Sequence, residues 1–153
     1  PTPINARAET AATKPTFRTA LRHSRCLVLA DGFYEWQKQD GPKQPFYIRL
    51  QDARPFAFAG LWSRWQGEDE TIESCTLLTT KANESLRPLH DRMPVILPPG
   101  DYATWLDPAV QDPDVLVPLL RPYADDALEA YPVSRRVNSP TNDDPRCIEP
   151  LES

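Results

Sequence analysis

Glycine, histidine and cysteine are scarce in this sequence, and each shortage narrows what the protein can be. Two histidines and three cysteines in 153 residues, with no CxxC pair, argue against a zinc cluster and a disulfide framework, and favour a reducing cytoplasm. Five glycines against 18 prolines favour short elements and rigid loops over long helices. No apolar run approaches the roughly 18 residues of a membrane-spanning helix, so we expect no membrane partner.

The residues that are present have the composition of a globular protein. Hydrophobic residues make up 40% and charged residues 25% of the chain, which is long enough to form one domain, so we expect residues 1–153 to be a single domain. The net charge of −5 is unevenly spread. Residues 1–50 hold eight basic and four acidic side chains, whereas residues 101–153 hold four and eleven. Because binding follows the local field, the total charge does not exclude DNA.

Apolar runs separated by turn residues predict an α+β fold, with a mainly antiparallel sheet that curls towards a barrel and short helices. The first predicted strand is a buried one in residues 26–36, which turn through Asp31-Gly32. Further strands are predicted at residues 45–50, 56–65, 75–80, 95–97 and 131–137, with either a bulge or a close backbone approach at Gly60. Short helices are predicted at residues 13–25, 81–89, 101–106 and 115–120, the last three capped by Asn83, Asp101 and Asp114.

Polar residues near the start of the chain form two groups. Asn5, Arg7 and Glu9 alternate with alanines, a two-residue period that predicts one polar face on an extended segment. Arg18 and Arg22 lie four residues apart on the next predicted helix and give it a basic face. A basic face of this kind is either solvated or in contact with phosphate, and the residues alone leave both interpretations open.

Glu35 is an unusual carboxylate because aromatic residues precede and follow it in the sequence FYEW. Loss of hydration raises the pKa of a carboxyl group and suits it to general acid or base work. The alternative is a solvated glutamate on an alternating strand, with Tyr34 and Trp36 pointing inward. The local sequence does not choose between them.

His90 is the second candidate for proton transfer. It is flanked by Asp91 and Arg92 just before a predicted strand, and an imidazole in that setting can titrate near neutral pH. The alternative is a structural or solvated loop histidine. His23, in a polar run, is predicted to be a surface residue.

Neither the cysteines nor the sequence motifs indicate a conventional nucleophile or a cofactor. Cys26 and Cys75 each open an apolar strand, which favours a packing role, and Cys147 is expected to be more exposed in the C-terminal loop. The sequence contains no GxSxG, P-loop or GxGxxG motif. We therefore expect no metal and no cofactor.

Several separate segments together resemble a known family. They are residues 5–10 (NARAET), 30–36 (ADGFYEW), 79–83 (TTKAN), 90–94 (HDRMP) and 132–138 (PVSRRVN). In order and separation, over essentially the whole chain, they resemble the SOS response-associated peptidase (SRAP) family.

The resemblance implies a protein of the DNA-damage response that senses abasic sites in single-stranded DNA and shields them with a covalent crosslink. In that family, autoproteolytic removal of the initiator Met exposes an N-terminal cysteine, which closes on the ring-opened sugar as a thiazolidine. Carried over by motif, Asn5 orients this cysteine, and Glu35 and His90 transfer protons. The expected activity is that of an SRAP-type peptidase and lyase.

The implied partner is single-stranded DNA that contains abasic sites. Arg7 is expected to contact its phosphates, and Arg18, Arg22 and Arg92 are further candidates. We expect a monomer in the cytoplasm that associates with the nucleoid after DNA damage.

The sequence departs from the family at its start. The family's segment beginning Cys-Gly-Arg, which carries the nucleophile and part of the DNA groove, is not found before Pro1, so we expect this chain by itself to be inactive in crosslinking. Two other classes of function stay open. One is a non-catalytic module that binds single-stranded DNA through arginines and aromatic residues. The other is a peptidase acting on other proteins, for which the sequence has no conventional triad.

Overall fold

The computed structural model describes residues 3–151, so Pro1, where the predicted truncation falls, lies outside the described residues. The described chain has nine β-strands: β1 (Asn5–Arg7), β2 (Arg25–Ala30), β3 (Phe33–Gln37), β4 (Gln44–Leu50), β5 (Phe56–Gln66), β6 (Thr71–Lys81), β7 (Arg92–Pro94), β8 (Ile96–Leu97) and β9 (Leu128–Pro132). Its α-helices are all short: α1 (Ala8–Ala11), α2 (Arg18–His23), α3 (Tyr102–Leu106) and α4 (Pro113–Leu116). Single 3-10 turns occur at Pro99–Asp101, Val117–Leu119, Arg135–Asn138 and Pro145–Cys147. No helix within residues 3–151 is long and apolar enough to cross a membrane.

The chain divides into two compact units that each combine separate stretches of sequence. The first comprises Pro1–Leu29, Ala57–Lys81 and Arg92–Tyr123, and the second comprises Ala30–Phe56, Ala82–Asp91 and Ala124–Ser153. That residues 1–153 act as a single domain stays a prediction.

The first unit contains a curled sheet of six strands. Its order is β1-β6-β5-β2, with β7 also paired to β6 and β8 to β5. β1 runs parallel to β6, whereas β5, β7 and β8 make antiparallel pairs. The core contains completely buried side chains from strands, helices and the link between β7 and β8, among them Leu21, Leu78, Val95, Trp105 and Leu116. Burial of this apolar surface is the main force that holds the short helices against the sheet.

The second unit contains a three-stranded antiparallel sheet of order β3-β4-β9. Its central strand places Ile48 in the core, where it is completely buried. Three tyrosines pack against one another across one face with tilted rings, whose centroids are 5.4 Å apart for Tyr34 and Tyr47 and 5.8 Å apart for Tyr47 and Tyr131. Such aromatic contacts add stability beyond the buried area alone.

The predicted α+β class, with a curled, mainly antiparallel sheet and short helices, is confirmed. Three details of the strands are wrong. The extended segment predicted through Glu9 ends at Arg7, because α1 begins at Ala8. The strand predicted to be buried is β2 at the end of the sheet order, half-buried, with Leu29 77% exposed. The tail strand predicted at residues 131–137 is β9, which ends at Pro132.

The predicted helix at residues 81–89 is also wrong, although its cap exists. Asn83 Oδ1 accepts a hydrogen bond from the Leu86 N–H at 3.0 Å, and the segment then continues as turns. Pro88 has no N–H with which to extend a helix from that cap. Asp101 precedes α3 as predicted, but its carboxylate accepts a hydrogen bond from Arg121 at 2.9 Å and makes no capping bond to the backbone.

Candidate functional site

Asn5 and Arg7 lie two residues apart on an edge strand of the first unit. β1 pairs with β6 in parallel, with Asn5 opposite Leu77 and Arg7 opposite Thr79. Ala6 between them is buried at 2% exposure, so the alternation along the strand directs the other two side chains to solvent. The predicted shared face of Asn5 and Arg7 is therefore confirmed, and the Arg7 side chain is 66% exposed.

Arg92 is fixed by acceptors from two other elements of the same unit. It donates two hydrogen bonds to the carboxylate of Glu9, from Nη1 to Oε1 at 2.6 Å and from Nη2 to Oε2 at 2.9 Å. Its Nη2 also donates to the carbonyl and hydroxyl of Thr79, at 2.8 and 3.1 Å. This pairing lowers the pKa of Glu9 below its ordinary value. Arg92, predicted to contact DNA, is thus held beside Glu9, with its side chain 19% exposed.

Arg18 and Arg22 lie on α2, and neither takes part in the contacts of Arg92 with Glu9 and Thr79. Phe17, just before the helix, and Leu21 within it are buried, and both arginines are exposed. Within residues 3–151, no hydrogen bond or ion pair joins either guanidinium to Asn5 or Arg7. The predicted basic face of α2 therefore exists, but its two arginines do not contact the exposed residues of β1.

Glu35 lies on β3 in the second unit, where it is half-buried and faces Phe46 of β4 across the ladder. Its Oε1 accepts a hydrogen bond from the Trp36 N–H at 3.0 Å. Strand alternation places Trp36 on the opposite face, where its indole N–H donates to Asn138 Oδ1 at 2.7 Å. The Glu35 side chain is therefore only partly exposed to solvent.

Gln37 connects the Glu35 face of β3 to the loop that carries His90. Two residues after Glu35, Gln37 shares its face of the strand, and its amide donates to the Pro88 carbonyl at 3.0 Å. Pro88 precedes His90 by two residues in the same unit. The fold thus directs Glu35 towards the side of the sheet on which the His90 loop is anchored.

His90 is partly exposed at the end of this loop. Its Nδ1 lies 3.2 Å from Asp91 Oδ1, its side chain is 44% exposed, and its backbone N–H donates to the Leu86 carbonyl at 3.1 Å. The Ala82 N–H donates to the Asp91 carbonyl at 2.9 Å, which closes the loop. An imidazole with a neighbouring carboxylate can accept and release a proton.

Of the predicted site residues, Asn5, Arg7 and Arg92 belong to the first unit, and Glu35 and His90 to the second. Sequence reasoning did not assign roles to Thr79, which accepts a hydrogen bond from Arg92, to Gln37, which donates to Pro88 in the His90 loop, or to Asn138, which accepts from Trp36 beside Glu35. Thr79 and Asn138 do fall within two of the family-like segments.

The three cysteines are free but differ in surroundings. Cys26 is half-buried, and burial raises the pKa of its thiol. Cys147 was expected to be exposed and is instead buried, with Sγ 3.6 Å from the Asn142 carbonyl, while Cys75 is exposed on β6. A raised pKa leaves less thiolate at neutral pH, so Cys26 is a poor nucleophile. Within residues 3–151, no group of three or more His, Cys, Asp or Glu side chains could hold a metal ion.

Comparison with known proteins matches the chain to one family and to relatives with the same kind of name. The family model described as SOS response associated peptidase (SRAP) matches residues 1–140. "Abasic site processing protein YoqW" of Bacillus subtilis (strain 168) is 49% identical over 95% of this chain and 66% of its own length. "Abasic site processing protein HMCES" of Gallus gallus is 36% identical over 97% of this chain and 50% of its own length. The chain therefore spans half to two thirds of these relatives.

Solved structures agree with these matches. A protein from Bacteroides thetaiotaomicron aligns with a TM-score of 0.87 at 32% identity, covering 97% of this chain and 66% of that one. A protein from Bordetella bronchiseptica aligns with a TM-score of 0.74 at 36% identity, covering 85% and 64% of the two chains. Because the family model, the relatives and the folds agree over nearly the whole sequence, the chain belongs to the SOS response associated peptidase (SRAP) family.

Proposed function

We propose that this chain is part of a protein that processes abasic sites in single-stranded DNA. The observation that carries the proposal is 49% identity, over 95% of the chain, to a relative named as an abasic site processing protein. The matched stretch is long enough to contain nearly every residue that the sequence singled out. The location that we propose is the cytoplasm, with association with the nucleoid after DNA damage, and the acting form is a monomer.

The reaction that we propose begins with the N-terminal cysteine of the mature protein, exposed by autoproteolytic removal of the initiator Met. Its amine attacks the aldehyde carbon of the ring-opened abasic sugar, and loss of one water gives an imine. Its thiol then adds to the imine carbon, and the proton released from sulfur is taken up at the nitrogen. The product is a five-membered thiazolidine that shields the damaged strand.

Asn5, Glu35 and His90 serve the proton transfers of this reaction. Asn5 offers an exposed amide on β1, which can orient the amine or the sugar by hydrogen bonding. Glu35 accepts a proton from the attacking amine and returns one to the leaving water. His90, beside Asp91, assists ring opening by moving a proton at the sugar oxygen. None of these steps requires a metal or a cofactor.

The DNA backbone is bound by basic side chains in this proposal. Arg7, whose side chain is 66% exposed against 19% for Arg92, contacts phosphate directly, while Arg92 supports the same surface. Arg18 and Arg22 of α2 extend the contact along the DNA strand. Such contacts position the DNA without reading its sequence, as a sensor of damage at any sequence requires.

Cys26, Cys75 and Cys147 are not the nucleophile in this proposal. A thiazolidine needs an amine and a thiol on the same residue, which only an N-terminal cysteine has. Cys26 and Cys147 are in addition half-buried or buried. A protein in which all three are replaced by serine is expected to retain the activity.

The decisive experiment incubates the full-length protein with a single-stranded oligonucleotide that carries one abasic site. We expect a covalent complex that survives heat and denaturant and that does not form with an intact oligonucleotide. A full-length protein that binds single-stranded DNA without forming this complex would be a non-catalytic binding module, and the enzymatic proposal would then be wrong.

A further inference from the structure

Two arginines assigned above to DNA binding share one internal carboxylate. Glu9 accepts two hydrogen bonds from Arg92, at 2.6 and 2.9 Å, and its Oε2 lies 4.0 Å from Arg7 Nε. Two parallel N–H···O bonds to one guanidinium are the same geometry in which arginine binds a phosphate. The Glu9 carboxylate therefore occupies on Arg92 the position that a DNA phosphate oxygen pair would take.

The surrounding structure holds both members of the Glu9–Arg92 pair in place. Arg92 is held from a second side by the carbonyl and hydroxyl of Thr79, and only 19% of its side chain is exposed. Glu9 is placed by α1, which begins directly after β1, so that the chain turns back towards Arg92. Had the segment stayed extended, the Glu9 side chain would have followed Arg7 to solvent. The helical turn of α1 is thus what brings the carboxylate to the arginines.

We propose that Glu9 is the positioning residue of the DNA-backbone surface, and that it orients Arg92 while withholding most of its positive charge from DNA. Arg7, which is 66% exposed and 4.0 Å from the same carboxylate, then makes the main phosphate contact of this group. The inference rests on the proposed DNA function and adds a device that limits affinity for intact strands. Limited backbone affinity is useful to a damage sensor, because phosphate contacts are the same at damaged and undamaged sites.

Release of Arg92 from Glu9 would change the salt dependence of DNA binding in a known direction. The affinity of a protein for single-stranded DNA falls with salt with a slope of about −0.7 for each phosphate neutralised. Replacing Glu9 by glutamine keeps the size and one acceptor but removes the negative charge. If Arg92 then becomes available to phosphate, the slope should steepen by about 0.7, so that affinity falls roughly fivefold more between about 50 and 500 mM salt.

The experiment measures binding of an intact single-stranded oligonucleotide to the full-length protein by fluorescence anisotropy across this salt range. Glu9→Gln is expected to bind more tightly than wild type at the lowest salt and to show the steeper slope. In Glu9→Gln combined with Arg92→Ala the increment should vanish. Glu73→Gln is the matched control, since it removes the same charge from an exposed pair with Arg64, and it should leave the slope unchanged.

Glu9→Asp keeps the charge in case the glutamine variant does not fold, and it should keep the wild-type slope. An unchanged slope in a folded Glu9→Gln protein, or an increment that survives loss of Arg92, would overturn the inference. So would an Asp variant that steepens the slope. Crosslinking of wild type to abasic DNA is measured in parallel, so that failure of the proposed function is seen separately from failure of the Glu9 inference.

Discussion

At the scale of single residues, the carboxyl group of Glu35 provides the most direct test of the proposed proton transfers. Glu35→Gln preserves the side-chain volume and an oxygen that can still accept from the Trp36 N–H. We expect crosslinking to slow by about 10²- to 10⁴-fold, the usual contribution of a general acid or base, while binding to intact single strands changes little. Single-turnover gel assays and anisotropy measure the two quantities. Glu84→Gln is the control, and equal losses of both activities would make Glu35 structural.

Tyr47 makes the stability of the second unit depend on alkaline pH. Burial, with a further effect of the Asp31 carboxylate, raises the pKa of Tyr47 to about 12, against about 10 in an unfolded chain. The folded protein keeps a proton that the unfolded chain loses, so this contribution is complete below pH 10 and is lost as pH rises towards 12.

Wild type should therefore lose about 2 kcal/mol more in the free energy of unfolding than Tyr47→Phe when the pH is raised from about 9 to 12. Urea unfolding at the two pH values measures this difference. The same loss in both proteins would show that Tyr47 does not titrate as its surroundings indicate.

At the scale of elements, α4 has two aspartates near its start, either of which could cap the helix. The sequence Asp112-Pro113-Asp114 led to Asp114 as the predicted cap, but the side chain that accepts from the backbone is Asp112, from the Asp114 N–H at 2.9 Å. Proline is favoured at the first helical position, so Pro113 was the signal that identifies the cap. Asp112→Ala is expected to lower the free energy of unfolding by about 1 kcal/mol, and Asp114→Ala by less. The reverse order, in thermal or urea unfolding, would contradict the assignment.

Gly60 allows β2 and β5 to approach each other closely, which is one of the two alternatives that its position in a strand predicted. A Cβ atom there would lie 2.8 Å from Cys26 Sγ and 3.0 Å from Val28 Cγ2. We expect Gly60→Ala to destabilise the protein by about 1–2 kcal/mol, because the neighbouring side chains must shift. Gly100→Ala meets nothing within 4 Å and should be neutral or slightly stabilising.

Chemical denaturation of both glycine variants tests this contrast. The Cys26→Ala background should reduce the cost of Gly60→Ala, since it removes the nearest atom. An unchanged cost in that background would place the strain elsewhere.

At the scale of the whole molecule, local sequence patterns predicted most of the fold but only part of the candidate site. Apolar alternation and turn residues were sufficient for the strands around residues 45–50, 56–65 and 75–80, because strand formation there agrees with burial of one face. The helix predicted at residues 81–89 failed because one proline outweighed a good cap. The division into two units was not visible, since each unit is assembled from three separate stretches of sequence.

By itself, the sequence determined the α+β class, the exposed pair Asn5 and Arg7 on one strand, and membership of the SRAP family, because periodicity and motif order are properties of neighbouring residues. Only the tertiary structure decided which side chains meet across long separations. Glu9 and Arg92 are 83 residues apart, and Trp36 and Asn138 are 102 apart. Gln37 likewise contacts Pro88 from 51 residues away. Pairings of this kind depend on how the sheets and loops pack, and no local preference encodes them.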